Sequence, residues 1–172
     1  MNKKALLVID LQNDYFPKGK FPLWNTELTL SNIKAAIEKA NAQNIAVIHI
    51  KHEAAPEKGI APFFNQGSEG VEIHPEIMAV APNSEVIVKT YADSFEQTNL
   101  EEALQKQGIE ELLICGMMTQ NCVTHTAISK AAEKYSVSVL MDCCTTVDEI
   151  IHKIALNAVS TRIPLVTTNQ VF

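Results

Sequence analysis

The sequence of 172 residues has no cluster of lysines and arginines, and its apolar runs fall well short of the roughly 20 residues that a membrane helix needs. With a net charge of −6, neither nucleic acid nor an anionic membrane is the expected partner. The first apolar run is interrupted at Asp10 and Asn13, too early for a signal peptide. No repeat, low-complexity segment or linker divides the chain, so we expect one domain over residues 1–172, located in the cytoplasm.

Cysteine is also sparse, and its four positions form no CxxC pair. We expect Cys115, Cys143 and Cys144 to act as small buried hydrophobic residues. Cys122 differs, because it opens a helical pattern shortly after a buried strand and a turn at Gly116. Unpaired backbone N–H groups and the helix dipole at such a position favour the thiolate, so Cys122 is a candidate nucleophile.

Apolar runs alternate with helical patterns along the whole chain. Strands are predicted at residues 4–10, 45–50, 85–90, 111–116, 136–143 and 164–168, and helices at 27–43, 100–107, 122–134 and 147–160. This alternation predicts a mostly parallel sheet with helices on both faces. Prolines and glycines interrupt residues 52–84, a length that is typical of a lid or binding loop.

Three reactive side chains follow or close predicted strands: Asp10, Lys89 and Cys122. In parallel sheets the ligand lies outside the carboxyl ends of the strands, so all three fall on the functional rim. A carboxylate can take the thiol proton, a lysine can stabilise the negative charges, and backbone N–H groups of the tight turn can bind an oxyanion. Each also has an ordinary interpretation, as a loop aspartate, a solvated edge lysine or a buried helix cysteine.

Three separated motifs resemble those of the isochorismatase-like cysteine hydrolases, which include nicotinamidases, other small-amide hydrolases and isochorismatases. They are residues 8–16 (VIDLQNDYF), 88–95 (VKTYADSF) with 98–100, and 114–123 (ICGMMTQNCV) with 126–127. The motifs occur in the family's order and span nearly the whole chain. The resemblance implies a Rossmann-like, three-layer α/β/α fold with a six-stranded sheet in the order 3-2-1-4-5-6.

The resemblance also implies a catalytic triad of Asp10 as general base and acid, Lys89 as electrostatic partner and Cys122 as the nucleophile that forms a thioester. A cis peptide bond is expected between Met117 and Met118. The oxyanion donors would be the backbone N–H groups of Met118 and Cys122. The family commonly forms dimers or tetramers, which implies a homo-oligomer here.

Three aromatic residues, Phe16, Tyr91 and Phe95, lie within or beside the motifs and are candidate walls of a substrate pocket. Their alternative role is as ordinary core aromatics. His125, three residues after Cys122, could suggest a Cys–His dyad, but on a helix we expect it to be a packing or interface residue.

One departure from the nicotinamidases concerns their metal site. Those enzymes carry an Asp-x-His…His cluster after strand two, whereas this segment has no aspartate and offers only His52, Glu53 and, further on, His74. We therefore expect no metal and no other cofactor.

The leading hypothesis is a metal-independent hydrolase of a small amide-type C–N bond. The alternatives are vinyl-ether hydrolysis of an isochorismate-like substrate, which needs a proton donor more than a nucleophile, and a non-catalytic binding protein on the same fold. The implied sheet order raises one difficulty for the triad. It places the third strand two positions, roughly 10 Å, from the first, so Lys89 must lean across the rim to reach Asp10.

Overall fold

The computed structural model describes residues 3–172 and contains a six-stranded sheet. The strands are β1 (Lys4–Ile9), β2 (Ala46–His52), β3 (Glu85–Lys89), β4 (Glu111–Met117), β5 (Ser136–Thr145) and β6 (Leu165–Val166). The α-helices are α1 (Thr26–Ala42), α2 (Pro75–Val80), α3 (Leu100–Lys106), α4 (Thr124–Ala127), α5 (Glu149–Val159) and α6 (Thr168–Val171). All neighbouring strands pair in parallel in the order β3-β2-β1-β4-β5-β6, which confirms the predicted topology.

The core lies on both faces of the sheet, as consecutive apolar residues in a central parallel strand require. Along β1, Leu6 and Val8 pack into one apolar cluster with α1, whereas Leu7 and Ile9 pack into the other with α3. All four side chains are at most 1% exposed. The fold is therefore the three-layer α/β/α arrangement that was predicted.

The helix predicted over residues 122–134 is wrong. A π-helical turn, Thr119–Val123, leads into the single helical turn of α4, and a separate 3-10 turn, Lys130–Lys134, follows. Ser129 lies between them, and its hydroxyl accepts the Ala131 N–H and donates to Asp93. Such side-chain bonds offer the backbone an alternative to a continuous helix.

The strand predicted at residues 164–168 is similarly cut to two residues. The backbone then turns into α6, where Thr167 and Gln170 form a capping box. Reciprocal bonds of this kind satisfy the free N–H groups at a helix start and compete with strand pairing.

The segment 53–84 is more regular than its prolines and glycines suggested. It contains two 3-10 turns, Pro56–Lys58 and Glu69–Val71, and the helix α2. Helix α2 has Pro75 in its first turn, where a missing N–H is tolerated, and the His74 ring accepts the Glu76 N–H.

Helix α5 presents apolar side chains to the outside of the molecule. Ile150 and Ile154 are 71% and 63% exposed. Exposed isoleucines of this kind, one helical turn apart, indicate a contact surface.

Among residues 3–172, no helix combines the length and the apolarity needed to cross a bilayer.

Candidate active site

The three reactive residues predicted at the rim lie in contact. Lys89 Nζ is 3.0 Å from Asp10 Oδ2 and 3.2 Å from Cys122 Sγ. Their exposed fractions are 0% for Asp10, 1% for Lys89 and 2% for Cys122. A fully buried ion pair is tolerated only when its geometry and hydrogen bonds are good, so this cluster is a specifically assembled site.

Lys89 reaches Asp10 from the edge of the sheet by crossing the end of β2. It closes β3, and its register partner on β2 is His52. Paired residues of neighbouring parallel strands point to the same face, so the lysine side chain extends past the imidazole ring. Nζ lies 2.9 Å from His52 Nδ1 on its way to the carboxylate. The separation of two strands is thereby bridged.

Asp10 lies immediately after β1 in a left-handed backbone conformation, with φ of 55°. Its N–H donates to Ile50 O at 2.9 Å, which fixes the turn against β2. Asp10 Oδ2 accepts from Lys89, while Oδ1 is buried and has no partner among the described residues. Because a buried acceptor without a donor is unfavourable, Oδ1 is the atom that can take a proton or bind an incoming group.

The turn before Cys122 depends on a close approach of two backbones. Gly116 has φ of 124°, and a Cβ there would lie 2.1 Å from Ile9 O. Strand β4 runs one residue past this glycine, and the Met117–Met118 peptide is cis, as predicted. The π-helical turn then places the buried Cys122 side chain against Asp10 and Lys89.

Burial disfavours the thiolate of Cys122 and so opposes the stabilisation expected at a helix start. Burial raises the pKa of this thiol well above the ordinary value, the Asp10 charge raises it further, and Lys89 opposes both effects. Cys122 is the fourth residue of a π-helical turn, and its side chain is only 2% exposed, which accounts for the desolvation.

Lys89 carries a positive charge in this environment. Burial alone would lower its pKa, but the Asp10 charge and the hydrogen bonds to Asp10 and Cys122 raise it above the ordinary value. His52 is neutral, because burial and the neighbouring Lys89 lower its pKa to about 4 against the opposing effect of Asp10. The site thus holds one fixed cation among its acceptors.

Two aromatic residues that the sequence analysis did not single out cover this rim. Tyr15 and Phe64 are both at most 2% exposed and meet edge to face at 4.6 Å between ring centroids. Phe64 also lies 5.9 Å from the His52 ring, and its N–H donates to Asp14 Oδ2 at 2.8 Å. Tyr15 lies in the first recognised motif, which was a signal that could have found it.

The predicted pocket aromatics have other neighbours. Phe16 is buried against His74, with 4.3 Å between ring centroids, and Phe95 stacks on Tyr135, with 6.3 Å between ring centroids. Tyr91 is 40% exposed. Their role as pocket walls stays a prediction.

His125 is exposed, and its Nδ1 lies 2.8 Å from Asn121 O. The ring is thus engaged with its own helical turn. This contact fits the expected packing or interface role better than a dyad with Cys122.

The residues considered as metal ligands do not fit a metal. His52 faces Lys89, Glu53 forms an ion pair with Lys51 at 3.2 Å, and His74 accepts the Glu76 N–H.

Within residues 3–172, the one cluster of three possible ligands is Asp10, His52 and Cys122, whose ligand atoms lie within 4.8 Å of one another. The Lys89 ammonium already contacts all three side chains at 3.2 Å or less. A divalent cation would have to share that space with a positive charge, which Coulomb repulsion disfavours.

The chain thus has a doubly wound parallel sheet with a buried thiol, carboxylate and ammonium at its carboxyl rim. The family model "Isochorismatase domain" matches residues 4–171, and the chain belongs to the isochorismatase family of hydrolases. The isochorismatase family protein YddQ of Bacillus subtilis is 40% identical over 142 residues, covering 83% of this chain and 77% of YddQ. The crystal structure of an isochorismatase hydrolase from Oleispira antarctica superposes with a TM-score of 0.86 at 33% identity, covering 98% and 95% of the two chains.

Relatives of the chain carry different functional names. The nicotinamidase of Escherichia coli is 28% identical, covering 86% of this chain and 85% of its own. The Arabidopsis thaliana protein At3g16190, named a "probable inactive nicotinamidase", is 30% identical, covering 86% and 83%. Family membership therefore identifies a hydrolase fold without naming the substrate.

Proposed function

We propose that the protein hydrolyses a small amide-type C–N bond through a thioester on Cys122, with Asp10 and Lys89 completing a catalytic triad. The observation that carries this proposal is the single buried ammonium of Lys89, which contacts Asp10 Oδ2 at 3.0 Å and Cys122 Sγ at 3.2 Å. A nucleophile, a proton acceptor and a fixed cation in mutual contact are what acyl transfer by a thiol requires.

In the first half-reaction Asp10 takes the proton of the Cys122 thiol while the sulfur attacks the carbonyl carbon. The raised pKa of the thiol, which burial causes, makes this coupling of proton loss and attack necessary. The C–S bond forms as the carbonyl π bond breaks to an oxyanion. The tetrahedral intermediate then expels the nitrogen, which receives the proton from Asp10 and leaves as ammonia or an amine.

In the second half-reaction Asp10 takes a proton from water, and the resulting hydroxide attacks the thioester carbon. The C–S bond then breaks, the sulfur recovers the proton from Asp10, and the carboxylic acid leaves. Lys89 remains an ammonium throughout and stabilises the negative charge as it moves between the carboxylate and the sulfur.

The backbone N–H groups of Met118 and Cys122 are the proposed oxyanion donors. The support is positional: both belong to the turn that the Gly116 close approach places beside the rim. Phe16, Tyr91 and Phe95 are retained as proposed pocket residues, to which Tyr15 and Phe64 are added because they cover the site.

A panel of small primary amides, with ammonia release as the readout, tests the proposal. We expect turnover of at least one amide, loss of more than about 10³-fold in Cys122→Ala, and near-normal turnover in the matched Cys144→Ala. Mass spectrometry of quenched reactions should detect an acyl group on the Cys122 peptide. Full amide hydrolysis by Cys122→Ala would refute the nucleophile.

Two alternatives make different predictions. A vinyl-ether hydrolase acting on an isochorismate-like substrate would survive Cys122→Ala, because that chemistry needs a proton donor more than a thiol. A non-catalytic binding protein, for which the name of At3g16190 is a precedent, would show no turnover with either substrate class. The intact cluster of Asp10, Lys89 and Cys122 favours the amidase.

A homodimer or homotetramer is proposed for the working protein. The exposed isoleucines of α5 support this, since burying them between copies removes apolar surface from water. Sedimentation velocity on the native protein and on Ile150→Glu tests it, and we expect the variant to dissociate. A native protein that sediments as a monomer would contradict it.

A cytoplasmic location is proposed as well. All four cysteines are free and buried, in keeping with a compartment that maintains thiols in the reduced state.

A further inference from the structure

The Lys89 ammonium has three N–H bonds and three acceptors. Two of the acceptors are Asp10 Oδ2 and Cys122 Sγ, and the third is His52 Nδ1, at 2.9 Å. We propose that His52 is a positioning residue, whose imidazole holds the ammonium of Lys89 between the carboxylate and the sulfur. This inference rests on the proposed function and adds to it a fourth side chain that touches neither substrate nor sulfur.

The direction of the hydrogen bond follows from the chemistry of the two groups. An ammonium can only donate, so His52 Nδ1 offers its lone pair and the ring proton is on Nε2. A protonated imidazole could not accept, and the lowered pKa of His52, near 4 through burial and Lys89, keeps the ring neutral at working pH. The contact is therefore maintained across the pH range in which a carboxylate base operates.

The backbone of His52 is itself fixed by a pair of hydrogen bonds to a buried side chain. Gln12, which is fully buried, donates from Nε2 to His52 O at 2.7 Å and accepts the His52 N–H on Oε1 at 2.8 Å. These two hydrogen bonds extend the pairing of β1 with β2 beyond the backbone bond from the Asp10 N–H to Ile50 O. Gln12 Nε2 also donates to Val71 O at 2.7 Å, so the buried amide ties the backbone of His52 both to the end of β1 and to the segment after β2.

The groups around the imidazole come from three directions. Lys89 approaches from β3, Asp10 from the end of β1, and the Phe64 ring from the segment after β2. Without an acceptor at Nδ1, the flexible four-carbon chain of Lys89 gains rotamers in which it contacts Asp10 alone. The sulfur would then lose the cation that offsets its raised pKa.

Two substitutions separate positioning from simple packing. His52→Asn keeps an acceptor on the atom next to Cγ, where Nδ1 is, whereas His52→Gln moves the acceptor one bond further, toward the place of Nε2. The measurement is the rate of Cys122 alkylation by iodoacetamide between pH 6 and 9.5, followed by mass spectrometry. Urea midpoints of both variants control for folding.

We expect His52→Gln to slow alkylation at pH 8 about tenfold, the equivalent of one pKa unit on the thiol, and His52→Asn to stay within about threefold of the native protein. In amide hydrolysis His52→Gln should lower kcat about tenfold with little change in KM. Equal behaviour of the two variants, whether both native-like or both impaired, would overturn the inference.

The two proposals can fail separately. If Cys122→Ala retains amide hydrolysis, the thioester mechanism fails, yet the alkylation rates still report whether His52 positions Lys89 against the sulfur. If Cys122→Ala is inactive and the His52 variants do not differ from each other, the mechanism stands and the positioning role fails.

Discussion

The buried thiols of this protein occupy two environments, the carboxyl rim and the interior of the sheet. Cys115 donates to Leu7 O and Cys144 to Leu140 O within β-sheet surroundings. Cys122 has an ammonium and a carboxylate beside it instead. Burial raises the pKa of all three. The two environments therefore share the same depth and differ in the charged partners that the rim thiol has beside it.

The Lys89 ammonium is the cation that distinguishes the environment of the rim thiol from that of the interior thiols. Lys89→Met leaves the Asp10 carboxylate buried and unpaired, so we expect a loss of about 3–5 kcal/mol in the free energy of unfolding and loss of hydrolysis. Lys153→Met is the control, because its ion pair with Glu149 is exposed and contributes little. Urea denaturation measures both. Equal stability of the two variants would show that the rim pair is not a structural necessity.

The position of the rim thiol depends on the close approach of β4 to β1 at Gly116. In Gly116→Ala the new Cβ would meet Ile9 O at 2.1 Å and force β4 from β1, so we expect about 2–4 kcal/mol of destabilisation and impaired catalysis. Gly108→Ala is the matched control: it also has positive φ, at 66°, but nothing within 4 Å, so only about 1 kcal/mol should be lost. Thermal or urea unfolding distinguishes the two, and similar losses would contradict the close-approach argument.

Selective alkylation compares the reactivity of the rim thiol with that of the interior thiols. In the native protein iodoacetamide should modify Cys122 at least about tenfold faster than Cys115 or Cys144, and in urea the rates should converge. Because burial raises the pKa of Cys122 above the ordinary value, the rate of Cys122 alkylation should keep rising from pH 7 to 9.5 without a plateau. Mass spectrometry of the three peptides measures this, and a plateau near pH 7 would restore the stabilised thiolate.

The interior thiol of Cys144 should change the stability of the protein slightly, and only at alkaline pH. Burial raises the pKa of Cys144, so above pH 9 the unfolded chain loses a proton that the folded chain keeps. Stability should therefore fall as pH rises, by up to about 1 kcal/mol between pH 8.5 and 9.5, and less steeply in Cys144→Ala. Parallel urea titrations at the two pH values compare them. Identical slopes for both proteins would mean that Cys144 titrates normally.

The parallel sheet was predictable because strand-length apolar runs alternate with helices, and its strand order was predictable because three motifs match one family. The grouping of Asp10, Lys89 and Cys122 followed, since parallel strands bring their carboxyl ends to one edge. Their contact was not derivable, because it depends on the register of β2 with β3, which places Lys89 beside His52.

Other features required tertiary information of the same kind. The 3-10 turn after α4 and the start of α2 involve side-chain bonds at Ser129 and His74 that no periodicity reveals. The cover formed by Tyr15 and Phe64 depends on where a long segment folds back. His52 was visible only as a possible metal ligand, because its partner is 37 residues away.

The full engagement of the Lys89 ammonium has a consequence for the lifetime of the enzyme. On the proposed mechanism each turnover forms a thioester on the Cys122 sulfur, which lies 3.2 Å from Lys89 Nζ. A neutral amine at that distance would capture the acyl group as a stable amide and end the enzyme's activity. With three acceptors and a raised pKa, the nitrogen has no lone pair to offer. The arrangement that charges the site therefore also prevents self-acylation at nitrogen.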